Sequence, residues 1–257
     1  MDCKIVADEL YKAERGSYQI DTISAANPEL TVEDSYEIQL QNVAKKVAEG
    51  GKVIGMKVGL TSKAMQNLLK VNEPDYGHLT DKMLLLEGNI CPMNELIQPK
   101  VEGELAFCLN KTLKGPGITI ADVYNATEYV VPAIEIVDSR IKDWKIKLVD
   151  TIADNGSSAK LVLGSRLTKI ENIDMRLIGM NLEKNGELVS SGTGAEVWGN
   201  PAAAVAWLAN KLSEFDIELK EGNVVLPGAV TAAEVAKSGD VFTVSFQGMG
   251  SVSVKFE

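Results

Sequence analysis

Residues 101–109 read VEGELAFCL and set two glutamates inside an otherwise apolar run. Side chains alternate between the faces of a strand, so Glu102 and Glu104 point the same way. Val101, Leu105, Phe107 and Leu109 point the other way and form an apolar face. Like charges repel, and burying a carboxylate without a partner is costly. Either the charged face is open to water, or a cation sits against it.

The flanking segments repeat the puzzle. VVPAIEIVDSR, residues 130–140, is a strand by its β-branched content and places Glu135 between Ile134 and Ile136. An exposed glutamate is not expected in so apolar a run. Three oxygen ligands on one sheet surface suit Mg²⁺ or Mn²⁺ and leave positions open for water and substrate. KVIGMKVGL, residues 52–60, is a further strand, with Met56, Val58 and Leu60 on one face and Gly55, Lys57 and Gly59 on the other. A lysine between two glycines is either a surface group on a bulged edge strand or a lysine with room for a ligand beside it.

Composition bounds the rest. A chain of 257 residues makes one large domain, or one domain with a small appendage. Its 45% apolar and 24% charged residues are an ordinary globular balance. A net charge of −10 argues against nucleic acid and anionic membranes, which need a basic surface. No apolar run is long enough to span a bilayer, and the first residues read as a helix carrying Ile5, Val6 and Leu10. Cys3, Cys91 and Cys108 are odd in number and lack metal-like spacing, as expected of a reduced, cytoplasmic protein. There is one histidine, His78, read as a hydrogen-bonded loop residue. No His-rich metal site can be built, and a Ser-His-Asp triad would have to use it.

The remaining elements follow from caps and turns. A helix starts at Thr31, boxed by Asp34, and stops at Gly50-Gly51. TSKAMQNLLKV (61–71) reads as a short helix and NEPDYGHLTDKM (72–83) as a loop. Thr119 and Asp122 start another helix, Asn185-Gly186 marks a hairpin, and Asn200 caps a helix with Pro201 at its first position. Residues 241–246 and 251–256 alternate on either side of a QGMG turn. The plan is α+β: a strand-rich body behind a helical N-terminus.

GMKVGLTSKAMQ (55–66), EPDYG (73–77), IQPKVEGELAF (97–107), the segment 130–155 and QGMGSVSVKF (247–256) carry a resemblance. The chain resembles the 2-oxo-4-pentenoate hydratase and 4-oxalocrotonate decarboxylase family, within the fumarylacetoacetate hydrolase superfamily. The resemblance runs over nearly the whole chain. It implies a mixed, barrel-like β-roll over residues 71–257 with a small helical N-terminal domain, residues 1–70, that contributes Lys57. It implies that Glu102, Glu104 and Glu135 bind Mg²⁺ or Mn²⁺, and that Lys57, Asp75 and Ser157 surround a 2-oxo- or 2-hydroxy-dienoate. Within that frame Lys160 and Arg140 are the basic candidates for a distal carboxylate. Trp198 and Asn200 depart from the small residue and histidine expected there. The implied activity is hydration of 2-hydroxy-2,4-dienoates to 4-hydroxy-2-oxo acids in aromatic catabolism, with decarboxylation of 4-oxalocrotonate as the alternative. Carbon–carbon bond hydrolysis, which would rest on His78, and a non-catalytic partner role rank below both. The family also implies a homo-oligomer, or association with a hydratase or decarboxylase relative.

Overall fold

The structure is a computed structural model, and it describes residues 2–62, 66–67 and 71–257. Three helices come first. Helix α1 (Cys3–Gly16) is capped by the Asp2 side chain, which accepts from the Lys4 amide. A short α2 (Ile23–Ala26) leads to α3 (Val32–Ala48), where Thr31 and Asp34 form the expected capping box. Val6, Leu10, Ile23 and Ile38 bury one another in a cluster closed by Ile141 and Ala153 from later in the chain. The helical unit is thus tied to the body by apolar contact as well as by sequence.

The strands are β1 (Val53–Gly59), β2 (Asp75–Thr80), β3 (Leu84–Leu85), β4 (Ile90–Cys91), β5 (Lys100–Leu109), β6 (Thr127–Val137) and β7 (Ser158–Leu163). They continue as β8 (Gly179–Lys184), β9 (Glu187–Thr193), β10 (Val224–Leu226), β11 (Glu234–Val235), β12 (Val241–Phe246) and β13 (Gly250–Phe256). Helices α4 (Ile120–Ala126), α5 (Leu148–Ala153) and α6 (Pro201–Leu212) connect them, and Asn200 caps α6 through the Ala202 amide. One sheet runs β2-β1-β10-β5-β6-β7-β3, with β11 added beside β5; the other runs β4-β13-β12-β8-β9. β1 pairs with β10, β3 with β7 and β4 with β13 in parallel, so both curled sheets are mixed.

Gly103 shows how the sheets meet. A Cβ there would lie 3.1 Å from Met180 Sδ and 3.1 Å from Val244 Cγ2, which belong to β8 and β12. The face of β5 that carries Val101 and Leu105 therefore packs on the second sheet, and both residues are buried in the main core with Ile134 and Ile136. Glu102 and Glu104 face the opposite way.

One expectation needs correction. Residues 75–80 are not a loop: β2 is buried along its whole length and pairs antiparallel with β1. Covered on both faces, it has no polar alternation to mark it, and its Pro, Asp and Gly residues mimic a turn. Of the two readings open for Lys57, the edge strand is the one that fails, since β1 lies between β2 and β10. The helix read over 61–71 falls largely outside the described residues.

Candidate functional site

The register of β5 and β6 builds the site. Glu102 stands opposite Glu135, and Glu104 opposite Ala133, so the three carboxylates share one face. One oxygen from each of Glu102, Glu104 and Glu135 lies within 4.8 Å of the others. Glu104 and Glu135 are fully buried. Glu104 Oε2 accepts from the Gly228 amide at 2.8 Å, while Glu104 Oε1 and both Glu135 oxygens have no hydrogen-bond partner among the described residues. Burial first, and then Glu135, push the Glu102 carboxyl up to about 7. The Glu104 carboxyl is raised well above the ordinary range by burial and by both neighbouring glutamates.

Lys57 enters from β1, where it stands opposite Gly77 of β2 and Leu226 of β10. It is 3% exposed, and its Nζ lies 3.6 Å from Glu135 Oε1. Burial works against its charge, but Glu135, Asp75, Glu102 and Glu104 more than offset that and hold the lysine above its ordinary pKa. Asp75, at the start of β2, is buried, and its Oδ1 has no hydrogen-bond partner among the described residues. Burial raises its carboxyl; Lys57, the Thr151 hydroxyl and the Gly59 amide act the other way.

The glycines beside Lys57 have different work from that expected. A Cβ on Gly59 would lie 2.1 Å from Asp75 Oδ1 and 3.3 Å from Lys57 Nζ, and one on Gly55 would lie 1.8 Å from the Val224 carbonyl oxygen. Gly59 makes room for the Asp75 carboxylate and Gly55 for the backbone of β10. Neither space is left empty for a ligand.

A turn closes over the lysine. Gly156 and Ser157 are left-handed, with φ of 59° and 54°, and a Cβ on Gly156 would meet the Lys57 stem at 3.2 Å. Ser157 Oγ donates to Asp154 Oδ2 at 3.2 Å. Asn155 clamps β2 from the same turn, accepting from the His78 amide and donating to its carbonyl. His78 is therefore a buried strand residue. Its Nδ1 lies 2.8 Å from Gln39 Oε1, and burial pushes it down to about 4.

Arg140 and Lys160 are not brought to the carboxylates. Arg140 is buried, with Nε 2.5 Å from Asp154 Oδ1 and Nη1 2.7 Å from the Asp138 carbonyl. It staples the 138–141 segment to the turn over Lys57. Lys160 stands opposite Ile136, one step out of phase with Glu135, and so lies on the other face of the sheet. Its Nζ pairs with Glu95 Oε2 at 2.7 Å.

Sequence reasoning missed three contributors. The Gly228 amide donates to Glu104, and backbone donors leave no mark in a sequence. Asp154 orders the turn through Arg140, Ser139 and Ser157. Lys100 lies on the same face of β5 as Glu102 and Glu104, which the alternation rule could have found.

Residues 42–257 match the model of the fumarylacetoacetate hydrolase C-terminal family. The chain belongs to that family. Among its relatives, 2-hydroxyhexa-2,4-dienoate hydratase of Comamonas testosteroni is 46% identical over 249 residues, covering 96% of this chain and 94% of the relative. The 2-oxo-hept-4-ene-1,7-dioate hydratase of Escherichia coli is 43% identical, with 98% and 97% covered. The solved structure of 4-oxalocrotonate decarboxylase from Pseudomonas putida G7, complexed with magnesium and adipate, superposes with a TM-score of 0.97 at 37% identity, covering 99% of this chain and 97% of that one. The mixed α+β fold with a curled sheet is thus the fold of this fumarylacetoacetate hydrolase family member, as the sequence led one to expect. No helix among the described residues is long and apolar enough to cross a membrane.

Proposed function

We propose that the chain is a divalent-metal-dependent hydro-lyase that hydrates 2-hydroxy-2,4-dienoates to 4-hydroxy-2-oxo acids. The observation that carries this reading is the cluster of Glu102, Glu104 and Glu135, with three buried carboxylate oxygens that accept no hydrogen bond from the described residues. A hard dication such as Mg²⁺ or Mn²⁺ fits that all-oxygen donor set and relieves the repulsion within it. Bound there, it would supply Lewis acidity toward the carboxylate and 2-oxygen of the substrate. Lys57 holds its proton at Nζ beside this face, and Asp75 Oδ1 lies next to it with no hydrogen-bond partner among the described residues. Together they can carry the proton lost from the 2-hydroxyl to carbon 5 of the dienol and place the water that adds its oxygen at carbon 4 and one proton at carbon 3. Ser157 lies in the turn over Lys57, with its hydroxyl donating to Asp154.

The whole-chain similarity to a dioate hydratase and to a decarboxylase supports this reaction class and makes decarboxylation of 4-oxalocrotonate the second reading. Carbon–carbon bond hydrolysis would need a histidine-activated water, and His78 is buried against Gln39. A non-catalytic subunit would have no need of an intact glutamate set with Lys57. We also infer a homo-oligomer in the cytoplasm, open to association with a related hydratase or decarboxylase, in which residues 1–70 supply Lys57 to a site otherwise built by 71–257. Sedimentation showing only a 27.7 kDa species would contradict the oligomer.

The deciding experiment offers 2-hydroxypenta-2,4-dienoate and 4-oxalocrotonate separately, with Mg²⁺ or with excess EDTA, and follows products by NMR. The expected result is 4-hydroxy-2-oxopentanoate from the first, abolished by EDTA and by Glu104→Gln. Carbon dioxide release from the second with no hydration of the first selects the decarboxylase. Full activity in EDTA overturns the metal reading.

A further inference from the structure

Glu102 and Glu104 occupy only part of the charged face of β5. Lys100 opens that strand two residues before Glu102, opposite Val137 of β6 and Val235 of β11. It therefore shares the face of Glu102 and Glu104. Its side chain is half-buried. Among the described residues it has no carboxylate within ion-pair distance. Its Nζ lies instead 4.2 Å from the centroid of the Trp144 ring. The other cations considered for this role are engaged elsewhere, Lys160 with Glu95 and Arg140 with Asp154.

Trp144 is held there at a conformational cost. Asp143 and Trp144 both have left-handed backbones, with φ of 56° and 55°. For a bulky residue that is an outlier of the sort found at ligand clamps. The indole Nε1 donates to the Gln98 carbonyl at 3.1 Å, two residues before Lys100, and fixes the ring. A lysine resting on an aromatic face is oriented and still has N–H donors turned away from the ring for an anion.

We propose that Lys100, oriented by Trp144, binds a second carboxylate of the substrate, so that the preferred dienoate is a dicarboxylate. This rests on the reading above that Glu102, Glu104 and Glu135 hold the α-keto-acid end. Residues two apart on a strand are separated by about 6.5–7 Å. A six- or seven-carbon dienedioate carries its distal carboxylate four or five bonds beyond carbon 2, a comparable span at roughly 1.5 Å per bond. The chain end of a monocarboxylate would meet the same ammonium with nothing to neutralise it.

The test separates this idea from the catalytic reading by measuring binding as well as turnover. Calorimetry in Mg²⁺ compares 2-oxohexanedioate with 2-oxohexanoate, which share the chelating end and differ only at the far one. In the wild type the dicarboxylate should bind about tenfold tighter or more, as expected for a charge-assisted hydrogen bond. Lys100→Met should erase that preference and leave 2-oxohexanoate unchanged; Lys100→Arg should restore most of it. In turnover, Lys100→Met should raise KM for a dienedioate with kcat within about twofold. A wild type that binds the two probes equally overturns the proposal, and so does a Lys100→Met loss that is equal for both. If neither probe binds in a Mg²⁺-dependent way, the metal-site reading fails first and this one with it.

Discussion

Replacing Lys57 by Met keeps the stem and removes the one cation that the described residues bury among the carboxylates. At 3.6 Å from Glu135 Oε1 and an effective dielectric near 20, the pair interaction is about 5 kcal/mol. Removing one partner of a buried pair costs about 3–5 kcal/mol, and neither group is exposed enough for solvent to screen it. Glu102 and Glu104 can take up protons in response, which places the cost near the lower figure at neutral pH. For a chain of this size about 3 kcal/mol lowers Tm by roughly 6–12 °C. The assay is thermal unfolding at pH 7 of Lys57→Met and wild type, each in EDTA and in Mg²⁺. In EDTA the gap should be the full 6–12 °C. In Mg²⁺ it should shrink to less than half, because the dication supplies the missing positive charge, while hydratase activity stays lost in both. Equal melting temperatures in EDTA would mean that Lys57 does not balance the carboxylates, and the account of the site would fall.

Two further outcomes follow from the same geometry. Burial, with Lys46 adding to it, pushes His78 down to about 4 from an ordinary value of 6.5. Between those values the unfolded chain binds the extra proton, so this stability is fully present above pH 6.5 and lost as pH falls toward 4, by about 3 kcal/mol. Urea unfolding at pH 7 and pH 4.5 should show His78→Gln losing less than the wild type; equal losses would remove His78 from the account of acid sensitivity. Gly59→Ala drives its methyl group into the movable Asp75 carboxylate and should cut kcat at least tenfold with the fold kept, whereas Gly55→Ala meets the Val224 backbone and should destabilise by several kcal/mol. Circular dichroism melts beside rate measurements check both, and the opposite ranking would contradict the close approaches described.

What could be read from the sequence was whatever lies within one segment. The cap boxes at Thr31 and Thr119 and the Asn200 cap are local, and they stand where expected. The pairing of Glu102 with Glu104 follows from alternation alone, and so does the apolar face opposite. β2 was lost for a physical reason: a strand covered on both sides has no polar rhythm, and Asp75, Gly77 and His78 look like a turn until Gln39, Gly59 and Asn155 are seen to receive them.

The two misplaced cations mark the same limit from the other side. Lys160 and Glu135 sit on neighbouring strands, and a shift of one residue in their register moves a side chain across the sheet. That register is set by the turn at Asp154–Ser157, where Arg140 is spent on holding Asp154 and its own loop carbonyls. No spacing in the sequence encodes it. Lys100 needed no such knowledge: it lies in IQPKVEGELAF at the same parity as Glu102 and Glu104. The regular pairing of β5 from Lys100 through Glu104 carries that parity into the fold unchanged, with a Lys and two Glu on one row. Parity within one strand is thus the firmer guide to which charges meet at a sheet-built site, and proximity of motifs along the chain the weaker one.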